Sequence, residues 1–492
     1  MPAAINLLRS CRLWVSLAAL STAALSTVTC ATIGEAPPPG GGTGAGAGGR
    51  GSGAGGMGGL MISGGVTGGG DCVNLQCRQT TCTRGPCMQM ACPGGEKTTI
   101  SGTIYDPAAR TALYNVAVYV PNAELAPITT GASCQTCDSP VSGKPIAAAQ
   151  SDATGRFVLE NAPVGPNVPL VIQVGKWRRQ ITVPNVAPCT DTAISDRNLT
   201  RLPRNQNEGS LPQIGIALGG SDALECLVRK IGVDTAEFTP DAGAGRVHLY
   251  AGHAAPGQMA SGVALASTET LWDSLDVMKR YDVVLMSCEG TDNNTRSDAQ
   301  LANVKAYADA GGRLFLSHWH NVWVKEGPAP WPSVAKFASG AHGFDAPITV
   351  TVDTTFPKGM AFSRWLTAVG AAATPDQLVL NGAEHSVDEA VPALAQRWLY
   401  GHDAEKNKPM VQYMTFNTPV ASAGSTAQQC GRVVMSDIHV SSGTGDSGKV
   451  AFPSGCTSTE LTPQEKALAF MLFDLTSCVH PDGTAPPIIV ID

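Results

Sequence analysis

Between Thr98 and about Val183, apolar and polar positions alternate with a period of two, and no helical period interrupts them. Ile100-Ser101-Gly102-Thr103-Ile104-Tyr105 ends at the turn signal Asp106-Pro107. Leu113 to Val120 is rich in β-branched and aromatic residues, Ser151 to Leu159 is a glycine-containing turn feeding a strand, and Pro169 to Gly175 is a further apolar run. The pattern predicts a small β-sandwich. Beyond Leu211 the rhythm changes. Short apolar strands at Ile214–Leu218, Arg246–Tyr250, Tyr281–Met286 and Arg313–Leu316 alternate with helical stretches at Ala223–Ile231, Thr268–Lys279 and Ala299–Ala310. Met410–Phe416 and Arg432–Met435 add later strands, and Pro463–Leu475 reads as a closing amphipathic helix. Strands crossed by helices in this way predict a doubly wound α/β sheet.

Both halves resemble known families. Ser101-Gly102-Thr103-Ile104-Tyr105-Asp106, Asn115 to Val120 and Asp152-Ala153-Thr154-Gly155-Arg156-Phe157 resemble the carboxypeptidase regulatory-like domain. That resemblance implies an Ig-like or prealbumin-like sandwich, a non-catalytic module sometimes grouped with carbohydrate-binding folds. Tyr281-Asp282-Val283-Val284, Gly311 to His318, and Gly431-Arg432-Val433-Val434 leading to His439 resemble the class I glutamine-amidotransferase-like superfamily, within it the trehalose-utilisation type. This second resemblance implies a flavodoxin-like sheet with a site at the carboxyl ends of its strands.

The chain's beginning reads as an export signal. Arg9 and Arg12 precede sixteen uncharged, mostly apolar residues from Leu13 to Val28, and Cys30 stands where a lipoprotein signal places its acylated cysteine. Thr27 occupies the position where a lipobox has Leu, so cleavage near Ala31 and free secretion is the rival reading. Gly40 to Gly70 holds 18 glycines in 31 residues, a composition suited to a flexible tether. Such a segment reaches roughly 30 Å, which favours membrane attachment through Cys30. The expected organisation is a signal peptide over 1–30, a linker over 31–71, a cysteine-rich segment over 72–96, the sandwich over 97–200, the α/β domain over 201–482 and a tail over 483–492.

Fifteen cysteines fit an oxidising compartment. Cys72, Cys77, Cys82, Cys87 and Cys92 recur every five residues, a spacing that suits disulfides better than zinc ligation. Cys134, Cys137, Cys189, Cys226, Cys288, Cys430, Cys456 and Cys478 complete the disulfide candidates. Cys189 is expected to bridge to one of Cys134 and Cys137, and Cys288 to Cys226. Without Cys11 and Cys30 the number is thirteen, so at least one cysteine is free or paired between molecules. A balance of 33 basic against 40 acidic residues, with no basic block, argues against a nucleic-acid partner.

The chemistry is sparser. Cys288 ends a strand but lacks the Gly-x-Cys-x-Gly frame, and no His-x-Glu occurs in the chain, so glutamine hydrolysis is not expected. Gly312 to His320 aligns without gaps on Gly431 to His439, each a strand ending in a polar-x-His triplet. Strand periodicity puts His318 and His320 on one face, and Asp437 and His439 on another. With Glu289 these five form a candidate catalytic site, which would suit a divalent metal or metal-free proton transfer. Trp177-Arg178-Arg179 is a candidate stacking surface for a sugar or anion. Two functions compete. One is a cell-envelope protein that binds a glycan or another envelope protein without catalysis. The other is a hydrolase or isomerase acting on a carbohydrate.

Overall fold

A computed structural model describes residues 89–291, 295–340, 342–421, 428–440, 442 and 444–487. Cys30, Cys72, Cys77, Cys82 and Cys87, with the export signal and the glycine-rich segment, lie outside them. Seven strands come first: β1 (Thr99–Thr103), β2 (Ala117–Pro121), β3 (Pro145–Gln150), β4 (Arg156–Glu160), β5 (Gly165–Val174), β6 (Trp177–Val186) and β7 (Asp191–Ile194). They form two small sheets, ordered β4-β1-β7 and β3-β2-β5-β6, whose apolar side chains share one cluster. Asp152 Oδ1 closes the turn into β4 by accepting from the backbone N–H of Thr154 and Arg156, at 2.7 and 3.0 Å.

Thirteen more strands follow: β8 (Ile214–Ala217), β9 (Phe238–Pro240), β10 (Val247–Ala251), β11 (Ala266–Ser267), β12 (Val283–Met286), β13 (Arg313–Ser317), β14 (Ala335–Phe337), β15 (Ile348–Val352), β16 (Gln377–Leu380), β17 (Val387–Ala390), β18 (Gln396–Asp403), β19 (Lys408–Thr418) and β20 (Gly431–Ser436). All but β14 and β17, which pair with each other, join one sheet ordered β11-β10-β8-β12-β13-β20-β19-β18-β15-β16, with β9 beside β10. From β10 to β20 the pairs are parallel. From β20 to β16 they are antiparallel. The doubly wound expectation thus describes only the parallel half of the sheet, since β18, β19 and β20 follow one another as antiparallel neighbours and β15 and β16 pair antiparallel across the helix Pro357–Ala368.

Both faces of the parallel half are covered, which is why its strands read as unbroken apolar runs. Ile214, Ile216, Val283, Leu285, Phe315 and Val434 belong to one cluster, while Ala217, Val284, Met286, Leu314, Val433 and Met435 belong to the other. Helices Leu224–Lys230, Pro357–Ala368 and Pro463–Thr476 pack in the first cluster, and Asp298–Asp309 packs in the second. The stretch expected as one helix at 268–279 is two single turns, because the Ser274 side chain caps a fresh start at Leu275. Pro463–Thr476 is buried all round rather than amphipathic.

The sequence boundary at residue 200 is not a structural break. Tyr114 stacks on Phe470 and Trp177 tilts against Phe473, each with ring centroids 5.9 Å apart. Lys176 forms a buried ion pair with Asp282, whose other oxygen accepts from the Gln213 N–H at 2.6 Å. Disulfides Cys134–Cys430 and Cys137–Cys478 staple the 131–139 loop across the same boundary, and Cys92–Cys189 and Cys226–Cys456 complete four among the described residues. This corrects both expected pairings. Cys189 is taken by Cys92 and Cys226 by Cys456, while the 134–137 loop reaches Val479, so that Cys137 meets Cys478 and Cys134 meets Cys430 at the start of β20. Four disulfides fit an extracellular or periplasmic protein, and among the described residues no helix is long and apolar enough to cross a membrane.

Gly175 marks how tight the boundary is. Its φ is +51°, and a Cβ there would stand 1.8 Å from the Thr476 carbonyl oxygen. Gly370, at φ +68°, has open space around it. Gly370→Ala should cost about 1–2 kcal/mol, the ordinary left-handed penalty, whereas Gly175→Ala should cost at least about 3 kcal/mol because backbone must move. Thermal melts of both variants read the difference, and equal losses would mean that the boundary yields freely.

Candidate functional site

Three neighbouring parallel strands deliver side chains to one spot just past their carboxyl ends. Cys288 follows β12, His318 follows β13 and His439 follows β20. Here the chain has also run outward from β8 to β10 and returned on the other side at β12, the reversal that opens a crevice in such sheets. The loop after β8 supplies Asp222, which is fully buried. Its carboxylate accepts from Ser317 Oγ at 2.7 Å, the Val440 N–H at 2.8 Å and the Ala223 N–H at 2.9 Å. One anion therefore ties the residue before His318 to the residue after His439.

Cys288 Sγ lies 3.6 Å from His318 Nδ1, and the His318 and His439 rings are 5.4 Å apart. The three residues each offer a ligand atom, and these atoms lie within 4.8 Å of one another. Nε2 of His318 and of His439 are buried without a hydrogen-bond partner among the described residues. Glu384 approaches to 3.8 Å from His318 Nε2. Burial, followed by the proximity of His439 and His320, pushes His318 down to about 3, and burial pushes the Cys288 thiol up to about 12. Both are uncharged at neutral pH, so a thiolate–imidazolium pair is not available to them. Burial also raises Glu384.

The five residues singled out from sequence separate here. His318 and His439 converge. His320 does not, because β13 ends at Ser317 and His318, with φ +39°, opens a turn of 3-10 helix that breaks the period of two. Both of its ring nitrogens are engaged, Nδ1 accepting from Trp323 Nε1 and Nε2 facing the Ser287 carbonyl, each at 3.0 Å. Asp437 accepts from the Ser386 N–H at 2.7 Å and from its hydroxyl, and so anchors a loop. Glu289 accepts from Arg296 at 2.9 Å, and that guanidinium lies 4.4 Å from the Trp272 ring and 4.8 Å from the Trp323 ring. Cys288, expected in a disulfide, is the one free cysteine among the described residues.

A cleft of about 280 Å³ opens beside the cluster, lined among others by Glu289, Arg296, His318, Asn321, Lys325 and Ser386. The stacking surface expected at Trp177-Arg178-Arg179 is absent. Trp177 is wholly buried against Phe473, Arg178 donates to Ser142 Oγ and the Ala126 carbonyl, and Arg179 donates to the Asn198 carbonyl. Asp222, Arg296, Glu384 and Ser386 escaped the sequence reading. Only Asp222 carried a signal, as a polar residue at a strand-to-helix turn.

No known family profile matches the chain, and no curated protein matches it. Among solved structures it is similar to a ThuA-like protein from Bacteroides uniformis, with 14% identity, a TM-score of 0.30, and coverage of 53% of this chain and 90% of that one. A ThuA-like protein from Parabacteroides merdae gives 10% identity and 0.28, covering 48% and 83%. A cohesin–X-dockerin complex from Acetivibrio cellulolyticus gives 14% and 0.16, covering 30% and 78%. Likenesses of this size say nothing about activity.

In metal-free protein at pH 8, a thiol held near 12 is ionised about one part in ten thousand, against about a quarter for an ordinary cysteine. Alkylation at Cys288, followed by peptide mass spectrometry, should therefore run about a thousandfold slower than at a free cysteine. Labelling at the free rate would show that the cluster carries the thiolate.

Proposed function

We propose that this is an exported cell-envelope protein, anchored through Cys30, whose α/β half holds a zinc-type centre of Cys288, His318 and His439 and hydrolyses a small polar substrate of the carbohydrate class. Residues 97–200, taken as the carboxypeptidase regulatory-like module, serve as a wall for that half. The observation that carries the reading is the meeting of a buried thiol with two buried imidazoles whose ligand atoms lie within 4.8 Å of one another. Acid–base chemistry alone suits these groups poorly, since His318 resists protonation and Cys288 resists ionisation. A borderline-soft divalent ion would suit the first preference and reverse the second, because such an ion binds neutral imidazole and draws the proton from a thiol. Zinc bonds of about 2.3 Å to sulfur and 2.0 Å to nitrogen put tetrahedral ligands about 3.5 Å apart. The observed separation of Cys288 Sγ and His318 Nδ1 is 3.6 Å.

Cys288, His318 and His439 would hold the ion and leave it open to a water, which an ion of this kind would make easier to deprotonate. Glu384 stands 3.8 Å from His318 Nε2, the ring nitrogen away from Cys288, with its carboxyl pKa raised by burial, and would act there as the outer carboxylate that orients His318. Glu289, Arg296 and Lys325 make the cleft polar enough for a hydroxylated substrate. A purely binding function would have to do without Trp177 as a stacking surface, since that ring is buried.

Loaded with Co2+, the mature protein should show a thiolate-to-metal charge-transfer band that Cys288→Ser, or His318→Ala with His439→Ala, abolishes. Reducing-sugar release from envelope polysaccharide should fall about 10–100-fold in Glu384→Gln while the band persists. No band in the parent protein would sink the metal centre. A band without any sugar release would sink the assigned substrate class.

A further inference from the structure

A second cluster of ligating side chains lies outside that centre, at the antiparallel end of the large sheet. His342 comes from the loop between β14 and β15, His385 from the loop between β16 and β17, and Asp403 closes β18. Asp403 Oδ2 is 2.6 Å from His342 Nδ1 and 2.8 Å from His385 Nδ1. Asp403 and His385 are buried and His342 is nearly so, its side chain 14% exposed. The two histidine loops are zipped together, the His385 N–H donating to the His342 carbonyl at 2.8 Å.

The far side of each ring also faces a carboxylate. His342 Nε2 lies 3.0 Å from Glu405 Oε2, and His385 Nε2 lies 3.1 Å from Asp388 Oδ1, the latter as an ion-pair contact without hydrogen-bond geometry. This is the arrangement found around bound metals, where each ligating imidazole turns its other nitrogen to a carboxylate that fixes the tautomer and raises basicity. A neutral imidazole has one N–H, so neither ring can donate on both sides unless it is protonated. The charges point the same way. Asp403, Glu405 and Asp388 face the rings, and Lys408, 3.4 Å from Asp388, is the cation that meets them. Three carboxylates against one lysine leave the surroundings of the rings acidic, which suits a divalent ion.

We infer that His342, His385 and Asp403 form a second divalent-metal site, with Glu405 and Asp388 as its outer carboxylates. Two imidazole nitrogens and one carboxylate oxygen suit zinc and its transition-metal neighbours and disfavour magnesium and calcium, which prefer all-oxygen sets. Tetrahedral zinc spaces nitrogen and oxygen ligands about 3.3 Å apart, so loading requires Asp403 to withdraw by about half an ångström. The exposed Glu405 and the partly exposed edge of His342 give the ion its way in from solvent. This site stands independently of the cysteine-containing centre, because it uses none of its ligands.

The mature protein, stripped by chelation and titrated with Zn2+, should bind two ions. The pair His342→Ala and His385→Ala should weaken one of them at least about 100-fold, and His318→Ala with His439→Ala should remove the other. Cobalt separates the two sites further, since only the cysteine centre gives a thiolate charge-transfer band, while the second gives ligand-field bands alone. Asp403→Asn, which keeps the side chain's size, covers the case in which the double alanine variant does not fold. It should lose the same ion while retaining the native circular dichroism. If His342→Ala/His385→Ala and Asp403→Asn bind as much zinc as the parent, the second site does not exist. A single ion lost only with His318→Ala/His439→Ala would overturn this inference and leave the first centre standing. A single ion lost only with the His342 and His385 changes would do the reverse.

Discussion

A fourteen-residue helix that hides nearly all its surface must be enclosed from every side, and both halves of the chain enclose Pro463–Thr476. Phe470 takes Tyr114 from the small sheets and Phe362, Trp365 and Trp398 from the large domain, while Phe473 takes Trp177. Each such apolar side chain contributes roughly 1.5–3 kcal/mol on leaving water, and that gain exists only when all the layers are present. The helix start is fixed locally. Pro463 stands in the first turn, and Thr462 and Glu465 close a capping box. Glu465 also reaches the buried Lys230, which Asp446 meets as well, so the carboxylate that starts the helix neutralises a neighbouring one.

That enclosure explains the placing of the buried charges. Lys176 with Asp282, Lys230 with Asp446 and Glu465, and Lys358 and Arg432 with Asp474 each join segments far apart in the chain. A buried ion pair adds little net stability, but losing one partner costs about 3–5 kcal/mol. Such pairs therefore penalise wrong docking more than they reward correct docking. Cys288 and His318 follow a different rule, being buried and held uncharged by that burial, with the Glu384 carboxylate 3.8 Å from His318 Nε2.

The parallel half of the sheet was legible because strands buried on both faces read as apolar runs, and β8, β12, β13 and β20 lie within a residue or two of the positions read from sequence. In the antiparallel half only β19 was legible, as Met410–Phe416, since β15 and β16 are four or five residues long and β18 mixes buried with half-exposed positions. Pro357, which opens its helix, was a start signal left unread. His320 was misplaced because a period of two was carried past Ser317, where the backbone turns. Cysteine connectivity was beyond reach, because partners 296 and 341 residues apart leave no trace in spacing. For the same reason His342, His385 and Asp403, on two loops and the end of β18, formed no motif.

The two clusters meet in one short segment. Glu384 faces His318, His385 faces Asp403, and Ser386 holds Asp437 and lines the cleft. In extended backbone alternate side chains point to opposite sides, so the residues on either side of His385 serve one centre while His385 serves the other. The segment bridges to Gly343, next to His342, and a Cβ at Gly343 would come within 2.8 Å of Glu384 Oε2. Withdrawal of Asp403 by half an ångström would consequently pass through His385 to the Glu384 carboxylate. Catalytic groups misplaced by about 1 Å can lose a hundredfold in rate, so a metal at the outer cluster would act on the inner one without touching its ligands.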